Sequence, residues 1–536
     1  MNIFSIIKSE WKKNLIHMFV ILLGSLATTV FGLASSNLLT AVSEKNINMS
    51  KTWIIIMIIS SVIWSLQIFL EAISERRTIE AMNFNIRSEI SEKIMSLSYA
   101  DFHENEETDY VSWLINDIST IDQFGFGNLY MIIYQIFTIL LGAYILIDFH
   151  FSIIVTTLLL SVLMFIVPRF FTKKLNEQML AVTESNEKLT TSYSDVLNGY
   201  DALSVLDRKK YFQNAIELGS NNVALEKYKY AKIAGGLSSS SNGVSLLSQV
   251  ILLAQAVYLV LAYNVDIGII TACTYFGSFI FANLVGINAN WIEFKSVDKI
   301  FEKFNNKTKR TSKYSEKKVK ELENSIVLKD ITYKYEKDNE EKVLFNNLNL
   351  EIKKNKKHVI LGDSGTGKST ILNIILGRLS PIAGQALYDG VDYNELNQES
   401  LQRQILYLDQ RPYIFNDTIY NNLTLGEKYT DEEIERVLKK FHLDKWVKSR
   451  KDGINTEISY NSKNMSGGER QKLVLARGLL ADRRIILMDE ATSAIDKNTA
   501  LEIEKLITTD PDLTVVMVTH NLRSEISKLV DFTFNL

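Results

Sequence analysis

The sequence predicts an all-α, six-span transmembrane domain followed by an α/β domain built around a P-loop, and three observations carry that prediction. Six stretches, at about 15–40, 53–70, 126–147, 149–168, 238–264 and 267–290, hold almost no charge. Beyond about residue 325 the apolar pattern breaks into strand-length runs alternating with helical ones, the periodicity of an α/β nucleotide-binding domain. Within that second half, Gly362-Asp-Ser-Gly-Thr-Gly-Lys368-Ser369 fits G-x-x-x-x-G-K-[ST] at every fixed position. The expected organisation is a transmembrane domain with cytoplasmic helical extensions over 1–304, a lysine-dense linker over 305–324 and the nucleotide-binding domain over 325–536.

A helix crosses the hydrocarbon core with roughly 20 apolar residues, which all six stretches supply or approach. A soluble domain has little use for six uncharged helices of that length. The apolar stretch after Met1–Lys13 is too long for a removable signal, and no small-residue cleavage site precedes it. Lys8, Lys12 and Lys13 precede the first span, Arg76 and Arg77 follow the second, and Arg169, Lys173 and Lys174 follow the fourth. That bias places both termini and the second domain on the cytoplasmic side of the cell membrane. The segments between spans two and three and between four and five read as helix that continues well below the membrane. Pro168 is expected to kink or end the membrane part of the fourth span.

Polar side chains inside spans are costly, so they face a cavity or a partner. Gln67, Glu71, Gln135, Gln249, Gln255, Asn283 and Asn288 are such residues, interleaved with Trp64, Tyr134, Tyr144, Tyr258, Tyr275 and Phe279. Singly they read as helix–helix hydrogen bonding; as a set they suggest a cavity of mixed polarity. Cys273, the only cysteine, excludes an intrachain disulfide and reads as a small buried hydrophobe. A formal charge of −3 provides no bulk field for nucleic acid.

In the second half, His358–Leu361 reads as a strand and Thr370–Leu376 as a helix, the context the glycine loop requires. The backbone from Gly362 through Asp363, Ser364, Gly365, Thr366 and Gly367 into Lys368, Ser369 and Thr370 aims N–H groups and a helix N-terminus at phosphate oxygens. Lys368 reaches the terminal phosphates of ATP, and the Ser369 hydroxyl suits Mg²⁺. Asp489 ends the apolar run Ile485–Met488 and suits the same Mg²⁺; Glu490, next to it, suits a general base that polarises water. Ser466, Gly467 and Gly468 at a helix start form a second anion site, which makes sense if it caps ATP held by a neighbouring subunit. His520 follows a strand from which its imidazole can touch a terminal phosphate.

Together these motifs resemble an ATP-binding cassette (ABC) transporter half of the exporter type. The resemblance implies that Tyr335 stacks on adenine, that Gln410 senses Mg²⁺, that Met465–Glu469 is the signature, that Ser493–Asp496 joins two cassettes and that His520 is the switch histidine. Phe102–Ile118 resembles the first cytoplasmic coupling segment, and Leu197–Phe212 the approach to the second. Three departures stand out: Asp109 where glycine is common, a missing second acidic residue in Thr456–Asn461, and an end at Leu536 soon after His520. The family implies an ATP hydrolase coupled to transport that dimerises with a second copy of itself or with a similar half. Its implied cargo is a hydrophobic or bacteriocin-like peptide, with a lipid or an amphipathic drug as alternatives and membrane lipids as surroundings. A non-exporting ATPase that gates or protects a membrane complex is the reading from another class. Without an N-terminal cysteine-protease segment, the chain is not expected to cleave leader peptides itself.

Overall fold

The apolar stretches fold into six long helices, Trp11–Ser43, Ile47–Met95, Glu107–Phe149, Phe151–Asn198, Lys209–Tyr263 and Gly268–Lys307. The computed structural model describes residues 1–308, 317–337, 340–363, 365–459, 465–493 and 495–536. Two compact units divide the chain: Met1–Met95 with Glu106–Lys309, and Ser96–Asn105 with Arg310–Leu536. In the second helix only 11% of the most apolar window is buried. Ile55, Ile58, Val62, Leu66 and Phe69 are exposed there, a surface that demands an apolar surrounding.

Pro168 interrupts the fourth helix, which stops at Ile166 and resumes at Arg169, because proline has no N–H to continue the ladder. The short helix Tyr200–Val205 separates two long helical arms, Arg169–Asn198 and Lys209–Tyr263. An apolar core of Leu146, Leu252, Phe276, Ile280 and Phe281 also takes in Cys273.

Polar side chains lock these helices together. Ser278 Oγ donates to Gln249 Oε1 at 2.9 Å across two helices, whereas Gln67 Nε2 donates to Glu71 Oε2 at 2.6 Å within the second helix. Gln255 donates to Ser152 Oγ at 3.0 Å, Asn290 to Gln135 Oε1 at 3.3 Å, Asn288 to Met164 O at 3.2 Å and Tyr275 Oη to Thr28 O at 3.1 Å. Close approach makes room for the bulky amides: a Cβ on Gly24 would stand 2.4 Å from Gln67 Cδ, and one on Gly286 2.2 Å from Gln135 Nε2. Two further locks, Tyr130 Oη to Asn14 Oδ1 at 2.6 Å and His17 Nδ1 with Ser74 Oγ at 2.9 Å, involve residues that no sequence motif marks.

The second unit is a mixed α/β domain with two main sheets. Its strands are β1 (Ser325–Lys337), β2 (Glu340–Lys353), β3 (Lys357–Leu361), β4 (Ala383–Tyr388), β5 (Val391–Asp392), β6 (Ile405–Leu408), β7 (Asp417–Thr418), β8 (Glu457–Ile458), β9 (Ile485–Asp489), β10 (Thr514–Thr519) and β11 (Phe532–Asn535). An antiparallel sheet runs β2-β1-β4-β5, while the other sheet, ordered β11-β3-β10-β9-β6, is parallel throughout. The inner strands β9 and β10 of that parallel sheet are mostly apolar and buried, as cover on both faces requires, whereas the edge strand β11 is largely exposed. Ser96–Asn105 groups with this unit. The expected first coupling segment, 102–118, therefore divides: its first four residues group here, and the rest belongs to the helical unit.

A buried carboxylate ties a helix of this unit to two loops. Glu504, 4% exposed on the helix Lys497–Thr508, pairs with Arg523 and accepts from Thr492 Oγ1 at 2.5 Å. Glu504→Ala strands a partly buried guanidinium without its partner and is expected to cost about 2–4 kcal/mol. Glu504→Gln, which keeps an acceptor for Thr492, should cost less. Thermal unfolding of the purified protein measures both, and a wild-type midpoint for Glu504→Ala would show the pair to be idle.

Candidate nucleotide-binding site

Strand order builds the site. In a parallel sheet ligands bind beyond the carboxyl ends of the strands. The neighbours β3, β10, β9 and β6 deliver there, in that order, the P-loop at Gly362, His520, Asp489 with Glu490, and Gln410. Residues more than 150 positions apart thus come side by side.

The P-loop turns through Gly365 at φ 82° and Gly367 at φ 95°, conformations that side chains resist. At Gly367 a Cβ would also lie 2.3 Å from Phe345 Cζ, so the loop packs on β2 only as glycine. Lys368 opens the helix Lys368–Ile375 and is buried; its Nζ donates to Gly362 O at 2.8 Å and Asp363 O at 2.7 Å. Thr366 Oγ1 donates to Asp363 O at 3.0 Å. Ser369 is exposed on the first turn, with Thr370 buried behind it. Ser364 lies outside the described residues, as does the Tyr335 side chain, although β1 runs through Tyr335.

Glu490 and His520 meet above the P-loop. Glu490 Oε1 lies 2.5 Å from His520 Nε2 and 3.7 Å from Lys368 Nζ. On its other side the His520 ring is fixed by Nδ1, which donates to Gly362 O at 3.0 Å. Glu490 adopts φ 47°, a left-handed conformation that a non-glycine residue rarely takes, fixed by its N–H on Val518 O at 3.1 Å. Gln410 Nε2 donates to Ser493 Oγ at 2.9 Å, and that hydroxyl donates to Glu490 O at 2.7 Å. The oxygens of Ser369, Gln410 and Asp489 form a hard donor set of the kind Mg²⁺ accepts alongside phosphates and water.

Ser466 stands apart from this cluster. It caps the helix Gly467–Leu480, with Oγ accepting from Glu469 N at 3.2 Å and donating to Glu469 Oε2 at 2.8 Å. Gly467 and Gly468 let that helix press on the next: their Cβ atoms would lie 2.7 Å from Ile495 Cγ2 and 2.3 Å from Thr499 Cγ2. Farther along, Arg477 Nε donates to Asn422 O at 2.6 Å, and burial lowers its guanidinium to about 10.

Two contacts at the site carry no motif. Tyr407 Oη donates to Asp489 Oδ2 at 2.7 Å, and the Arg378 guanidinium lies over the Tyr407 ring. Burial, aided by the bond to Asp489 and its charge, pushes the Tyr407 phenol well above its usual range. The only signal in the sequence is an aromatic three residues before Gln410 in an otherwise aliphatic strand.

Comparison with protein families matches residues 345–493 to the model described as ABC transporter and residues 15–284 to that described as ABC transporter transmembrane region. The multidrug resistance-like ATP-binding protein MdlB of Buchnera aphidicola subsp. Schizaphis graminum is 26% identical over 538 residues, 96% of this chain and 90% of that protein. The ATP-dependent lipid A-core flippase of Vibrio vulnificus is 33% identical over 40% of this chain and 36% of its own length. The lactococcin-A transport/processing ATP-binding protein LcnC of Lactococcus lactis is 30% identical over 66% of this chain and 49% of its own length. Among solved structures, a bacterial Atm1-family ABC exporter with ATP bound superposes with a TM-score of 0.83 at 18% identity, over 97% of this chain and 92% of that one, a likeness of fold.

Proposed function

The chain belongs to the ABC transporter family, as an exporter-type half with membrane-spanning and nucleotide-binding domains on one polypeptide, and from that premise we propose that two copies export a hydrophobic or bacteriocin-like peptide across the cell membrane at the expense of ATP. It is a multi-pass membrane protein, and its family binds ATP and couples hydrolysis to transport. In the proposal, 1–304 forms the pathway, 305–324 the linker and 325–536 the ATPase, with both termini in the cytoplasm.

The observation that carries the ATPase reading is the meeting of Glu490, His520 and Lys368 above the P-loop. Lys368, with the loop from Gly362 to Thr370, holds the phosphates, and Tyr335 stacks on the adenine. Ser369, Gln410 and Asp489 hold Mg²⁺, which neutralises phosphate charge when bound. Glu490 takes a proton from water, and His520 orients that carboxylate. Ser466, Gly467 and Gly468 of one copy close on the ATP of the other. Closure and release at that interface act as a rigid-body switch on the membrane domain.

Likeness to the lactococcin transporters supports a peptide cargo; likeness to MdlB and to the flippases keeps drug and lipid cargo as the second reading. Reconstituted protein should accumulate a labelled hydrophobic peptide in inside-out vesicles only with hydrolysable ATP. Movement of a fluorescent lipid or dye in place of peptide would overturn the peptide assignment. Hydrolysis that moves none of the three would favour the gating ATPase.

Glu71 is half-buried beside Gln67, and we place it on the cargo path with Gln249, Asn283, Asn288, Trp64 and Tyr275. Glu71→Ala should raise the concentration of a cationic peptide needed to stimulate hydrolysis by about fivefold, the size of one lost charge contact of about 1 kcal/mol. Basal hydrolysis should persist. Unchanged stimulation would remove Glu71 from the path.

A further inference from the structure

Asp489 is held from the side by a residue outside every recognised motif. Tyr407 lies on β6, paired in parallel with β9 so that Tyr407 stands opposite Leu487 and Leu408 opposite Met488. From there its hydroxyl donates to Asp489 Oδ2 at 2.7 Å, engaging one of the two carboxylate oxygens. A hydroxyl bonded to a carboxylate is among the stronger protein hydrogen bonds, and it fixes the orientation of the acceptor.

The Tyr407 ring is held in turn. Arg378 Cζ lies 5.1 Å from its centroid and 4.6 Å from the centroid of Tyr99, so one guanidinium serves two aromatic rings. Arg378 directly follows Gly377, whose φ of 72° turns the chain after the helix that starts at Lys368; its N–H donates to Asn373 O at 2.9 Å. The arginine is therefore anchored on the P-loop's own helix. Tyr99 opens the short helix Tyr99–His103, capped by Ser98 Oγ on Asp101 N at 3.1 Å. This helix lies in Ser96–Asn105, the stretch from the first half of the chain that packs with the nucleotide-binding unit.

We propose that Tyr407 is a positioning residue for the carboxylate of Asp489, and that Arg378, shared between Tyr407 and Tyr99, makes that position depend on the Ser96–Asn105 segment. The inference rests on the reading of Asp489 as a holder of Mg²⁺ given above. Groups that orient a metal ligand commonly contribute 10–100-fold to metal affinity. A tyrosine that merely fills the core would leave metal affinity untouched when it loses its hydroxyl, because the ring remains. Through this arrangement the segment can alter metal binding without touching nucleotide.

The test is Mn²⁺ binding in the presence of ATP, read by electron paramagnetic resonance on the full-length protein carrying Glu490→Gln to suppress turnover. Tyr407→Phe keeps the ring for Arg378 and should weaken Mn²⁺ binding about tenfold. Tyr99→Ala should weaken it about threefold through the lost stacking, whereas Tyr99→Phe should match the parent. A parental Mn²⁺ affinity in Tyr407→Phe overturns the role of Tyr407. The same result in Tyr99→Ala overturns the dependence on the segment, and this arm stands even if Tyr407→Phe fails to fold. Asp489→Asn separates the two levels: if it too leaves Mn²⁺ affinity intact, the reading of Asp489 falls and takes the inference with it.

Discussion

Glu490→Gln binds ATP as the wild type does and hydrolyses it about 10²–10⁴-fold more slowly, the usual contribution of a general base. The expectation follows from geometry. Glu490 is held at φ 47° by the bond of its N–H to Val518 O, and its carboxylate faces His520 and Lys368. Glutamine keeps the shape of the side chain but cannot accept a proton from water. Lys368 and the glycine loop are unchanged, so nucleotide affinity persists and ATP accumulates in a closed dimer. Single-turnover hydrolysis beside equilibrium ATP binding distinguishes the two effects. Turnover near the wild-type rate would remove Glu490 from the role.

Chains carrying Ser466→Ala, mixed with chains carrying Lys368→Ala, should regain hydrolysis that neither variant has alone. Ser466 is exposed at the start of its helix, where, among the described residues, its hydroxyl bonds only to Glu469 of the same helix. In the proposal a phosphate held by another chain meets that helix start. Lys368 instead is buried within its own P-loop. If each ATP lies between one chain's loop and the other's Ser466, a mixed dimer holds one doubly damaged site and one intact site. Half the dimers in an equal mixture are mixed, so activity should return to about a quarter of wild type. Sites confined to single chains predict a mixture no more active than its components.

Much of this arrangement was legible along the chain because its signals are local. A span declares itself by some 20 residues without charge, and the P-loop by glycines that must turn at Gly365 and Gly367. Pro168 likewise breaks its helix for a reason contained in one residue. The antiparallel sheet of β1, β2, β4 and β5 was not legible, since it pairs segments with no shared motif. Nor was the division of the expected coupling segment, 102–118, after Asn105, since grouping with one unit or the other depends on contacts remote along the chain.

The sequence by itself therefore determined the six spans, the α/β character of the second half and the chemical identity of Lys368, Asp489, Glu490 and His520. Only the tertiary structure decided that Gln249, Gln255 and Asn288 bond across helices, that Glu504 holds Arg523 and Thr492, and that Tyr407 grips Asp489. The reason is physical. Helix length, glycine turns and charge bias depend on neighbours along the chain. Which carboxylate meets which histidine or tyrosine depends on the order β3-β10-β9-β6, and strand order is set by long-range pairing and packing that no local stretch encodes.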